Sequence, residues 1–114
     1  MIAMAMLPNP DQAILNIRKI EDYCLSPLHP RGRHKARVFR EALDLQRSDA
    51  AWLRNALLEA AHSSEAFRIA TDEWGDHWRL DATIRRQNKR AVVRTIWIVR
   101  AGESLPIFVS CWVL

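Results

Sequence analysis

The sequence predicts an α+β fold, with about three helices in the first half and a four-stranded antiparallel β-meander in the second. Three observations carry this expectation. Up to about residue 64 the apolar residues recur every three or four positions, the spacing of amphipathic helices. From Phe67 onward they alternate with polar residues, the period of a half-buried strand. The alternating segments are joined by a few residues each, which makes antiparallel pairing of neighbours the economical topology, and helices before strands argues for α+β.

Asn9-Pro10-Asp11 is a turn or helix-entry signal. From Asp11 to Leu25, Ala13, Ile14, Ile17, Ile20, Tyr23 and Cys24 mark one helical face, although the first turns could instead be extended. Ser26 to Gly32 holds two prolines and a glycine and must be a loop. A second helix is expected from about Arg33 to Leu45, with Val38, Phe39, Ala42 and Leu43 as its buried stripe and Arg33, Arg37 and Arg40 mostly off it. Ser48-Asp49 opens a third, with a serine N-cap and an acid in the first turn. Leu53, Leu57 and Ala60 mark its inner face, and it ends near His62-Ser63-Ser64.

Phe67, Ile69 and Thr71 fit a first strand, followed by a turn at Trp74-Gly75-Asp76. Trp78, Leu80, Ala82 and Ile84 alternate with Arg79, Asp81 and Thr83 in a second, which turns at Gln87-Asn88-Lys89. Residues 91–99 are apolar on both faces apart from Arg94 and Thr95, as a central strand requires. Ala101 to Ser104 turns the chain into a last strand, Ile107 to Leu114. Alternation places Thr95 and Trp97 on one face of their strand with Arg94 on the other, and Ser110 with Trp112 on one face of theirs.

A chain of 114 residues is read as a single domain, 1–114. It is 49% hydrophobic with five tryptophans, enough to bury a core without covalent staples. No apolar run approaches the roughly 18 residues of a membrane span. Met1 to Leu7 lacks a basic leader region and is cut short by Pro8 and Pro10, so no secretory signal is expected; Met4 and Met6 offer alternative starts. Cys24 and Cys111 are then expected as reduced, buried thiols, with a disulfide between them as the alternative, in a cytoplasmic protein without membrane contact. His29, His34, His62 and His77 form no zinc-ligand spacing, and no metal or cofactor is expected.

Charge is unevenly spread. The formal net charge is +4, whereas residues 31–40 hold Arg31, Arg33, Lys35, Arg37 and Arg40 with no acid. The rest of the chain is therefore slightly acidic, and the basic excess is one local patch suited to a phosphate-bearing or acidic partner.

The run Asp22-Tyr23-Cys24-Leu25, then His29-Pro30-Arg31-Gly32-Arg33-His34-Lys35-Ala36-Arg37-Val38-Phe39, makes a specific motif. With Leu7-Pro8-Asn9 and Ile17-Arg18-Lys19-Ile20 before it, the chain resembles an uncharacterised bacterial domain-of-unknown-function family. That family also shows an Arg-Ser/Thr-x-Trp-Ile pattern and a Thr-Cys-Tyr-like ending, here Arg94-Thr95-Ile96-Trp97-Ile98 and Ser110-Cys111-Trp112. More distantly, helices followed by four antiparallel strands, a His-Lys pair at a helix start and a Ser/Thr-x-aromatic ending resemble the barnase–EndoU–colicin–RelE ribonuclease toxins. That resemblance implies a metal-independent endoribonuclease, with RNA as substrate and a small acidic antitoxin or immunity-like protein as partner.

Such cleavage needs a base for the 2′-hydroxyl, an acid for the 5′-oxygen and cations for the phosphorane. The resemblance makes His34 the acid/base candidate and Lys35 a phosphate ligand, with Arg94 and Ser110 stabilising charge and orienting phosphate. Arg31, Arg33, Arg37 and Arg40 would bind the nucleic acid, and Trp97 or Trp112 would stack a base. Each has a structural alternative: a core tryptophan, a helix-entry histidine, a locally bonded serine, an Arg94–Asp81 ion pair. No second acid/base group is evident, although His29 lies in the same loop and His77 and Glu73 at a hairpin. The alternative function is a non-catalytic module that binds nucleic acid or an acidic protein through residues 31–40.

Overall fold

In a computed structural model, described over residues 5–114, the chain is a mixed α+β structure with one four-stranded antiparallel sheet. Met1 to Met4, part of the stretch read above as lacking a leader, lies outside the described residues. The helical part is not an N-terminal block of three helices. Two regular helices, α1 (Arg33–Leu43) and α2 (Ala50–Ser63), are accompanied by a 3-10 turn at Pro10–Gln12, a single π-type turn at Ile20–Cys24 and a 3-10 turn at Arg47–Asp49. No helix among the described residues is long and apolar enough to cross a membrane.

Of the helix expected over Asp11–Leu25 only short turns form, and its early part takes the extended alternative. Ile14 lies alongside Ile107 as an isolated parallel bridge, donating to the Pro106 carbonyl (2.9 Å) and accepting from the Phe108 N–H (2.8 Å). These are edge groups of the last strand, and a buried edge must find partners. The demand is non-local, so it overrides the helical spacing nearby. Ile20, Cys24 and Leu25 still reach the core from the short turn that follows.

α1 buries Ala36, Phe39 and Leu43, so the inner stripe is rotated from the expected one, and Val38 is exposed. The helix ends two residues earlier than predicted, because Asp44 adopts a left-handed conformation (φ 54°). Asp44 N–H then bonds the Arg40 carbonyl and Leu45 N–H the Phe39 carbonyl, capping the last turn. Before α2, Gln46 and Asp49 form a reciprocal capping box, so the expected serine cap at Ser48 is not the device used. α2 buries Ala50, Leu53, Leu57 and Ala61.

Strands β1 (Ala66–Asp72), β2 (Gly75–Arg86), β3 (Lys89–Arg100) and β4 (Ile107–Val113) lie in sequence order as a meander. Leu80, Ala82, Ile84, Val93, Trp97, Phe108 and Cys111 meet the helices in one core. Two registers matter for the site: Asp81 stands opposite Arg94, and Arg94 opposite Trp112. At the β1–β2 turn, Gly75 has φ +140°, and a Cβ there would lie 2.1 Å from the Val99 carbonyl oxygen. Only glycine fits.

Candidate active site

The loop before α1 is built on a close backbone approach. A Cβ on Gly32 would lie 2.1 Å from the Tyr23 carbonyl oxygen, so the loop packs onto Tyr23 only because residue 32 has no side chain. His29 closes the loop. Its Nδ1 accepts the backbone N–H groups of Arg31 and Gly32, both at 3.0 Å, and its ring meets that of Tyr23 edge-on at 4.7 Å. α1 therefore starts at a fixed place, with His34 and Lys35 in its first turn.

From there Lys35 reaches β4. Its Nζ donates to Ser110 Oγ at 3.1 Å and lies 4.8 Å from the Tyr23 ring centroid and 5.0 Å from that of Trp112. Both distances are within cation–π range. A pocket of about 410 Å³ opens beside this contact, lined by His34, Lys35, Val38, Trp112 and Val113. His34 is exposed at this pocket, and Trp112 is half-buried. The chain fold thus brings together four of the expected site residues, His34, Lys35, Ser110 and Trp112, from opposite ends of the sequence.

The others are elsewhere. Trp97 is fully buried at 0% exposure, its indole N–H donating to Thr95 Oγ1 (2.8 Å) and its ring against Phe108 at 5.4 Å. It presents no face to a base, and the expected stacking role is corrected to a core role. Arg94 does not reach the pocket either. Its Nε and a terminal nitrogen bond both Asp81 oxygens, at 2.9 and 3.0 Å, on the strand away from β4. This pair holds the Asp81 carboxyl below its ordinary range. The structural alternative for Arg94 is the one realised.

Arg33, Arg37 and Arg40 face a different groove, on the other flank of α1. It measures about 660 Å³ and is lined by these arginines with Leu25, Pro27, Ala36, Leu45, Gln46, Arg47 and Ser48. Arg31 is exposed in the loop and lines neither cavity. The two remaining histidine candidates are otherwise engaged: His29 shapes the loop, and His77 Nε2 lies 2.9 Å from Asp72 Oδ2 at the β1–β2 hairpin.

Sequence reasoning did not place four participants at the site. Tyr23 supports Lys35 with its ring. Arg47 joins the groove while bonded to Asp22 (3.0 Å) and to the Glu21 carbonyl (3.0 Å). Cys24 and Cys111 are free, buried, and in thiol contact behind Lys35. Hydrogen bonding from Cys111, then the Lys35 charge and Ser110, brings the Cys24 thiol down to about 7 against the effect of burial. The same contact and burial push Cys111 up. Their adjacency was invisible in the sequence, since no spacing rule links positions 24 and 111.

A family model described as a Domain of unknown function (DUF6883) matches residues 6–114, and the chain belongs to that family. No curated protein and no solved structure matches it.

Proposed function

We propose that this member of the DUF6883 family is a small metal-independent endoribonuclease, similar in plan to the barnase–EndoU–colicin–RelE group, acting at the pocket between α1 and β4. The observation that carries the reading is the Lys35–Ser110 hydrogen bond, which sets a cation and a hydroxyl side by side at a pocket that also holds His34 and Trp112. In the proposed reaction His34 takes the proton of the 2′-hydroxyl as that oxygen attacks phosphorus. The 5′-oxygen leaves with a proton from the Lys35 ammonium, and a 2′,3′-cyclic phosphate remains. Ser110 bonds a non-bridging oxygen, and Trp112 offers a ring for one base. Arg31 and, on the other flank of α1, Arg33, Arg37 and Arg40 add a positive field that draws RNA toward the helix. Arg94, held by Asp81, has no direct part. An intracellular enzyme of this kind would be paired with a small acidic protein that neutralises it.

The test is incubation of purified wild type, His34→Ala and Lys35→Met with total tRNA and ribosomal RNA in EDTA. Discrete fragments ending in 2′,3′-cyclic phosphate from wild type alone support the reading. Intact RNA with folded wild type, or equal cleavage by all three, refutes it. The second reading, a binding module without catalysis, draws on the arginine groove, whose three helix arginines have no ion-pair partner among the described residues.

A further inference from the structure

We infer that the arginine groove beside α1 is a docking site for an acidic amphipathic helix of a partner protein, distinct from the His34–Lys35 pocket. This rests on the groove alone and does not depend on ribonuclease activity. Arg33, Arg37 and Arg40 recur at i, i+4 and i+7, so their guanidinium groups rise from one helical stripe. At 1.5 Å per residue they span about 10 Å, which is two turns of a facing helix. Carboxylates on a partner helix at the same i, i+4, i+7 spacing would meet them one to one, and arginine binds carboxylate through two parallel hydrogen bonds.

No carboxylate lines the groove, and Arg33, Arg37 and Arg40 make no salt bridge among the described residues. Arg47 on the far wall already shares its charge with Asp22, which fixes that wall in place. The base decides between ligand classes. Leu25, Ala36 and Leu45 are buried beneath it, Pro27 is its exposed aliphatic residue, and among the described residues its lining holds no aromatic ring. A single nucleic-acid strand gains much of its affinity by stacking bases on aromatic side chains, which this groove does not offer. The carboxylates of an amphipathic helix do find their complement there in the three exposed guanidinium groups, with Pro27 as the apolar contact.

The probe is a displayed library of random 16-residue peptides selected on the full chain, with a fluorescein-labelled dodecauridylate measured in parallel by anisotropy. Selected peptides should carry acids at i, i+3 or i+4, and i+7. A selected peptide should bind at least tenfold more weakly to the double variant Arg37→Glu/Arg40→Glu. Lys35→Ala, altered on the other flank, should change its affinity by less than threefold. Both arginines are exposed and make no salt bridge among the described residues, and a circular-dichroism melt confirms that the double variant stays folded. Selected peptides without the acidic pattern, or binding equally to the double variant, overturn the inference. So does a dodecauridylate that binds through Arg37 and Arg40 and is not displaced by any selected peptide, which would make the groove a nucleic-acid track.

Discussion

Removing the Lys35–Ser110 contact separates a catalytic from a merely structural site. A hydrogen bond from a charged donor is worth about 1.5–3 kcal/mol. At 3.1 Å and only part-buried, this one should retain about 1 kcal/mol after solvent screening. The ammonium also lies 4.8 and 5.0 Å from two ring centroids, and such contacts add roughly 0.5 kcal/mol each at partly exposed sites. Ser110→Ala should therefore cost about 1 kcal/mol, and Lys35→Met, which keeps the apolar stem, about 2 kcal/mol. The double variant should cost little more than Lys35→Met, leaving a coupling energy of about 1 kcal/mol. Urea unfolding of the four proteins measures this, and the same samples are assayed for RNA cleavage. Coupling below about 0.3 kcal/mol, the noise of additivity, would refute the contact. Coupling of the expected size with undiminished cleavage by Lys35→Met would reduce Lys35 to a brace and remove the cation from the proposed mechanism.

Two further predictions concern the frame around the site. Gly32→Ala must push the loop off the Tyr23 carbonyl, at a cost of about 3 kcal/mol, so its thermal midpoint should fall well below that of wild type; an unchanged midpoint would contradict the close approach. Asp81 is depressed by its bonds to Arg94, so its contribution to stability is present above the unfolded carboxylate value of about 4 and lost as pH falls through its lower folded value. Thermal melts from pH 7 to pH 2.5 should therefore show a smaller acid loss in Asp81→Asn than in wild type, and parallel curves would argue against the pair.

Much of the sheet was legible because its cause is local. Period-two alternation and short turns fix a meander, and the Asp81–Arg94 offset across the Gln87 hairpin already allowed an ion pair. The first segment was legible only as one of two alternatives, because Ile14 answers to Pro106 and Phe108, over ninety residues away. The α1 stripe was misplaced for a related reason. Spacing admits either Val38 or Ala36 as inward, and the choice falls to Ala36 because the Lys35–Val38 flank borders the pocket beside Trp112. In the same way, alternation put Thr95 and Trp97 on one face of β3, but not whether that face was closed. At the site, no spacing rule joined Ser110 and Trp112 to His34 and Lys35; only the resemblance did.

His29 shows how a residue type that suggests chemistry can be spent on shape. Its Nδ1 accepts two backbone N–H groups, so that nitrogen is spent on holding the loop. The loop in turn places the first turn of α1, and with it His34 and Lys35. Loss of His29 should thus affect the site through position and not through proton transfer. His29→Ala strands two N–H groups at the start of the helix, at a cost of about 1–2 kcal/mol. His29→Asn retains a side-chain acceptor near the same position and should restore most of that stability. In the ribonuclease assay the asparagine variant should cleave at close to the wild-type rate, with an unaltered pH profile. A stable His29→Asn protein that has lost cleavage would instead make His29 the proton donor in place of Lys35, and the loop-shaping account would fall.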